Sequence, residues 1–112
     1  MPITQATKAD ANAMIGSFNT VAEDINAIRT TNDYAGLNSD CKTLADAAQT
    51  LLADPIPSAV APEATTYKST LAEIQATGQA CETVSTYPEL AGAVILLPKA
   101  AGTMKTFVAM IG

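Results

Sequence analysis

Histidine and tryptophan are both absent from this 112-residue chain, and aromatic residues make up only 4% of it. Histidine is the usual general base at neutral pH and the commonest metal ligand, so its absence argues against hydrolytic and zinc-dependent chemistry. Carboxylates offer no substitute, because Glu23-Asp24 and Asp40 with Asp46 map to polar helix faces, where we expect them to be solvated. We therefore predict that the protein is not an enzyme and holds no metal or cofactor.

Positive charge is also scarce. Six basic residues are scattered singly among eleven acidic ones, giving a net charge of −5. Binding to nucleic acid requires clustered Lys and Arg, so we expect no nucleic-acid partner. Every carboxylate lies at or before Glu89, and the only charges after it are Lys99 and Lys105. The C-terminal segment is therefore cationic and strongly apolar.

Large apolar side chains are few as well. Leu, Ile, Val and Phe together form about a fifth of the chain, near the lower limit for an ordered globular protein. Alanine, the strongest helix former, supplies much of the remaining apolar content. This composition predicts a single helical domain over residues 1–112 with a thin core, in which helices approach over small side chains.

Apolar residues recur at alternating steps of three and four in four segments, which predicts four amphipathic helices at about 5–30, 34–53, 62–84 and 87–111. Asp33 is placed to cap the second helix, and Thr86 with Glu89 matches a capping box for the fourth. The prolines of residues 54–58 predict a turn. Short connections favour an all-α, up-down-up-down four-helix bundle.

Two residues are unfavourable in the interior of a helix. Gly78 lies on the apolar side of the third helix, which is explained either by close approach of a neighbouring helix or by a gap that admits a ligand. Pro98 lies in the middle of the fourth helix, where we expect a kink. That kink either wraps the bundle or serves as a functional hinge.

The two cysteines, Cys41 and Cys81, fall on the apolar sides of the second and third helices. Both lie far from the connecting turn, so an antiparallel pair of helices can bring them together. A structural disulfide, two buried free thiols, and redox or metal chemistry remain open; the third lacks a Cys-x-x-Cys motif and any histidine. A disulfide would join helices 2 and 3 and would indicate an oxidising compartment.

The segment Leu90–Leu97 is apolar on every face, so one core-facing side cannot bury all of it. We expect Leu90, Ile95, Leu96, Lys99 and Phe107 to offer a surface for a protein partner or for self-association. Pro98 and the lysines interrupt any membrane span, whereas a peripheral membrane contact stays open. The alternative is that this helix is simply the most buried one.

Cys41-x-x-Leu44, Pro55-x-Pro57 and Gly78-x-x-Cys81 with its preceding Tyr67 give residues 33–85 a resemblance to small exported helical proteins of bacterial cell envelopes. The resemblance implies an extracytoplasmic location and a disulfide between the second and third helices. Residues 1–13 lack the apolar core of a signal peptide, so the chain itself departs from that pattern.

Two functions follow as hypotheses. In the first, the chain is a non-enzymatic exported accessory module that docks through its apolar C-terminal helix. In the alternative, it carries a small apolar ligand between its helices, with Gly78 and Pro98 providing the space.

Overall fold

The computed structural model describes residues 3–111, and all regular structure within that range is helical. The helices are α1 (Ile3–Thr31), α2 (Tyr34–Ala53), a 3-10 helix (Ser58–Glu63), α3 (Ala64–Cys81), α4 (Tyr87–Ala93) and α5 (Leu97–Ile111). The described part of the chain measures 42 × 24 × 19 Å. At 1.5 Å per residue α1 is about 43 Å long and matches the long dimension. The predicted all-α class is confirmed.

The predicted fourth helix is divided in two, and the four-helix up-down bundle is not confirmed. Helices α4 and α5 meet at an angle of 40° across residues 94–96. A proline ring collides with the carbonyl four residues earlier, here that of Val94, which has left the helical conformation at φ −106° and ψ 10°. Pro98 itself lies in the first turn of α5, where its missing N–H is not needed. The predicted kink is therefore a break that precedes Pro98.

The predicted third helix also differs at both ends. Residues before Ala64 form the 3-10 helix, which contains Pro62, and α3 ends at Cys81 rather than at residue 84. Beyond Cys81 the backbone is held by a side chain of α2. The Asn38 amide Nδ2 donates to the carbonyl oxygens of Cys81, at 2.9 Å, and Val84, at 3.0 Å. This contact satisfies carbonyls that a helix end leaves free.

Both predicted helix caps are present. The Asp33 carboxylate accepts from the Gly36 N–H at 2.9 Å, and the Thr86 hydroxyl accepts from the Glu89 N–H at 3.4 Å. The Glu89 carboxylate accepts in turn from the Ser85 N–H, one residue earlier than in a standard capping box. This backbone hydrogen bond is the largest of the contacts that lower the pKa of Glu89. Sequence chemistry thus correctly located the starts of α2 and α4.

Cys41 and Cys81 form a disulfide, as predicted, between α2 and α3. Their Cα atoms are 5.6 Å apart, and both residues are buried. The bond joins the helices that also share the Asn38 contact. It therefore fixes one end of the α2–α3 pair.

The core lies between four long elements. Helix α2 packs against α1 and α3, and α5 packs against the same two helices. The Tyr67 and Phe107 rings meet edge to face, with centroids 5.5 Å apart, and so join α3 to α5. The Arg29 guanidinium lies 4.0 Å from the Tyr87 ring centroid, which places the start of α4 beside the end of α1. The largest fully buried side chains are Tyr67, Met14, Ile28, Leu37, Leu44, Leu51, Leu71, Ile74, Leu90, Met104, Val21 and Val60.

Candidate ligand groove

A groove of about 290 Å³ lies between α1 and the segment that contains the α4–α5 break. One wall is a stripe of α1 residues spaced three and four apart, which is the spacing of one helix face. The other wall is the corresponding stripe of α5 together with the end of α4. The lining residues are Phe18, Asn19, Ala22, Ile25 and Asn26 on the first wall, and Val94, Leu97, Pro98, Ala101 and Lys105 on the second.

The break before Pro98 and two small side chains account for this space. Helix α4 turns away from the direction of α5 at residues 94–96, so the chain does not lie against α1 as one continuous helix. Ala22 and Ala101 line opposite walls, where larger side chains would fill the gap. The groove therefore follows from the position of one proline and two alanines.

Its walls are mostly hydrocarbon, with a few polar groups. Asn19 and Asn26 contribute amides from α1, and Lys105 is the only charged residue that the described part of the chain contributes to the lining. Small-ligand sites typically combine an apolar surface with a few such polar groups that orient the ligand, in volumes from about 300 Å³ upwards. At about 290 Å³ the groove lies just below that range, and its lining suits a small molecule with one anionic end.

Of the two residues predicted to make room for a ligand, only Pro98 lines the groove. A methyl group on Gly78 would lie 2.9 Å from the Ala45 N and Cβ atoms and from the Cys41 carbonyl oxygen. The glycine therefore permits close approach of α2 and α3, which is the first of its two predicted explanations. The gap proposed at Gly78 is already filled by α2.

The five residues predicted to bind a partner do not share one surface. Leu90 and Phe107 are only 0% and 3% exposed and belong to the core. The expectation that Phe107 faces outward is wrong, because its ring packs on Tyr67 of α3. Ile95 and Leu96 are 75% and 51% exposed, and Lys99 is exposed as well. The accessible part of the predicted surface is therefore the α4–α5 turn and its lysine.

Two pairs of carboxyl groups connect α1 and α2. The sequence predicted solvated carboxylates at Asp24 and Asp40, and it gave no prediction for Asp10 and Asp54. Asp24 hydrogen-bonds to Asp40, and Asp10 hydrogen-bonds to Asp54 at the end of α2. Burial, followed by the contact with Asp40, raises the pKa of Asp24 to about 6. The Asp10 contact, followed by burial, raises the pKa of Asp54 to about 6. Each pair must hold a proton to form its hydrogen bond.

Tyr67 is a buried polar group near Asp54. Its hydroxyl is buried and has no hydrogen-bond partner, as is also true of one oxygen each of Asp24 and Asp54. Burial and then the charge of Asp54 raise the pKa of Tyr67 to about 12. The phenol therefore stays neutral and acts as core rather than as an acid or base.

Within residues 3–111 no three His, Cys, Asp or Glu side chains lie close enough together to hold a metal ion. No single helix of that range is long and apolar enough to cross a membrane, whereas α4 and α5 taken together, bent at their break, pass that test of length and composition.

Sequence reasoning identified Pro98 but missed the rest of the groove. Asn19, Ala22 and Asn26 lie on the first helix, and nothing in its periodicity shows which neighbour will face its flank. The feature of the sequence that could have indicated a groove there is Ala101, a small side chain three residues after Pro98. No protein-family model, no curated protein and no solved structure matches this chain.

Proposed function

We propose that this protein is a carrier of a small anionic amphiphile, which it holds in the groove between α1 and the α4–α5 break. The supporting observation is the groove itself, a mostly apolar space of about 290 Å³ with one cation in its lining. A water-sized group occupies about 30 Å³, so the groove accommodates roughly ten such groups. That is the size of a short acyl chain or of one or two rings.

The polar groups of the lining favour one class of ligand. Lys105 offers a positive charge, and the Asn19 and Asn26 amides offer both donors and acceptors. No carboxylate of the described residues lines the groove, so an anionic head group meets attraction from Lys105 without an opposing charge in that wall. A carboxylate or sulfonate with an apolar body fits this pattern.

The scaffold and its location complete the proposal. We take α1, α2, α3 and the α4–α5 segment to run up, down, up and down, with the ligand between the first and the last. The disulfide favours an oxidising, extracytoplasmic location, as the resemblance to exported envelope proteins also implies. A carrier of this kind requires no catalytic residues, in line with the predicted lack of enzymatic activity.

Docking to a partner through the C-terminal helix stays a prediction, on a smaller surface than expected. Because Leu90 and Phe107 are buried, only Ile95, Leu96 and Lys99 are available for it. This surface adjoins the groove along the chain.

The carrier function is tested with two fluorescent probes of two rings each, which match the size of the groove: anionic naphthalene-1-sulfonate and neutral naphthalene. We expect the native protein to bind both, and Ala22→Trp to weaken both at least about tenfold by filling the groove. Lys105 is exposed, so solvent screens its charge, and Lys105→Gln should weaken the anionic probe by about two- to fivefold and leave the neutral one nearly unchanged. Fluorescence titration measures all the affinities.

Ala72→Trp is the matched control, because Ala72 is an exposed alanine of α3 outside the groove. It should bind both probes like the native chain. Equal binding by Ala22→Trp and Ala72→Trp would show that the probes lie elsewhere and would refute the carrier proposal. Circular dichroism of each variant confirms that the helices are intact.

A further inference from the structure

The two residues at the α4–α5 break are the most exposed large apolar side chains in the described part of the protein. Ile95 is 75% exposed and Leu96 is 51% exposed. They lie between Val94 and Leu97, which both line the groove. The same short turn therefore presents one pair of residues to the groove and the other pair to solvent. We call Ile95 and Leu96 the apolar tip.

The charges around the apolar tip are of one sign along the chain. Residues 90–112 contain no carboxylate, and their only charges are Lys99 and Lys105. Lys99 is exposed and follows the tip by three residues. Basic residues beside an apolar insertion favour the anionic surface of a lipid bilayer, at about 1 kcal/mol each. The tip thus combines apolar side chains with the charge that such a surface attracts.

The shape of α4 and α5 fits contact with a bilayer surface. Together the two helices are apolar enough to pass the test for a span, but they bend by 40°. Much of their apolar side is also committed to the core, through Leu90, Leu97, Met104 and Phe107. Among the described residues, what remains exposed is the tip and, at the far end of α5, Met110. The tip is the larger of the two apolar surfaces and the one that lies beside Lys99.

We propose that the apolar tip inserts into the interface of a lipid bilayer and brings the groove to the membrane surface. Ile95 and Leu96 enter the acyl boundary, and Lys99 lies among the head-group phosphates. An amphiphile can then pass between bilayer and groove along the turn that Val94 and Leu97 share with the tip. The transfer step depends on the proposed carrier function, whereas insertion of the tip does not.

Vesicle binding tests the insertion. The vesicles contain phosphatidylcholine with about one phosphatidylglycerol in three lipids, to supply the anionic surface. We expect the native protein to sediment with them and Ile95→Asp to bind at least about tenfold more weakly. Met110→Asp is the matched control, because it places the same charge on another exposed apolar residue, 42% exposed on α5. It should bind within about twofold of the native protein.

The lack of tryptophan supplies a second measurement. Ile95→Trp carries the only indole of the chain, and its emission should move to shorter wavelength when vesicles are added. Absence of native binding, equal binding by Ile95→Asp and Met110→Asp, or an unshifted emission would each overturn the insertion. So would a native dimer in light scattering that Ile95→Asp dissociates, since the tip would then belong to a protein interface.

Failure of the two proposals can be told apart. Probe binding is measured without vesicles, and vesicle binding is measured without probe. If Ala22→Trp no longer binds the probes and the native protein does not bind vesicles, the carrier proposal is supported and the membrane proposal is refuted. If the native protein binds vesicles but neither probe, the membrane proposal is supported and the carrier proposal is refuted.

Discussion

Gly78 is a position where a single methyl group exceeds the available space. Two of the three atoms nearest to that methyl are backbone atoms of α2, the Ala45 nitrogen and the Cys41 carbonyl oxygen, each at 2.9 Å. Backbone atoms of a packed helix move only when the whole helix moves. The Cys41–Cys81 disulfide further restrains such a movement, because Cys81 follows Gly78 by one helical turn.

We expect Gly78→Ala to lower the free energy of unfolding by about 1–3 kcal/mol, the usual effect of overpacking a core. Gly16→Ala is the control, because a Cβ atom there meets nothing within 4 Å. Removing glycine from the interior of α1 should raise stability by about 1 kcal/mol. Urea denaturation measures both values, and a stabilising Gly78→Ala would contradict the close approach of α2 and α3.

At the scale of elements, the interface between α1 and α2 depends on protons. The pairs Asp24–Asp40 and Asp10–Asp54 connect the two helices in antiparallel order. A folded-state pKa of about 6, raised from 3.8, means that the folded chain holds these protons more tightly than the unfolded chain. Their stabilising effect is therefore complete below pH 3.8 and is lost as the pH rises to about 6.

We expect the free energy of unfolding to fall between pH 4 and 7, by roughly 1 kcal/mol for each pair after allowance for solvent screening. Asp24→Asn should reduce this slope and raise stability at pH 7, because a neutral amide can donate to Asp40 without a bound proton. Asp46→Asn, at an exposed position of α2, is the control and should keep the native slope. Melting curves recorded across this pH range give the slope for the native protein and for each variant.

The helices could be predicted from the sequence wherever local chemistry determines them. The spacing of apolar residues, together with the Asp33 and Thr86 caps, gave α2 and the start of α4. The break at residues 94–96 was only partly predictable, since Pro98 indicates a disturbance but not how far the helix unwinds before it. The end of α3 at Cys81 depends on Asn38, a partner from another helix.

The groove and the carboxyl pairs were harder to foresee for the same reason. Periodicity identifies the core-facing side of α1 but not which neighbour approaches each flank. Ala22 faces α5 across a groove, and Asp24 meets Asp40 of α2, although Ala22 and Asp24 are only two positions apart in α1. Such features arise from the arrangement of helices, which no single segment of sequence contains.

For the whole molecule, the disulfide offsets a thin core. It closes a loop over a sequence separation of 40 residues. The chain-entropy account assigns about 4 kcal/mol to such a loop, a large part of the stability of a small domain. The bond is buried, so it is protected in the folded state.

We expect reduction, or the double substitution Cys41→Ala with Cys81→Ala, to lower the free energy of unfolding by about 4 kcal/mol. Without reductant the intact mass should be lower than that of the reduced chain by the mass of two hydrogen atoms, and alkylation should fail until the protein is reduced. Rapid alkylation of both cysteines in the freshly isolated protein would contradict a native disulfide.

The disulfide joins one pair of helices, and a ligand in the groove would contact a different pair. Helices α2 and α3, which the disulfide joins, contribute no residue to the groove, whereas α1 and α5 line the groove and have no covalent bond between them other than the chain itself. An amphiphile that contacts both walls would act as a reversible crosslink on the opposite side of the molecule. By linkage, a bound amphiphile would make the folded protein more stable, and its release would loosen the contact between α1 and α5, which the disulfide does not join.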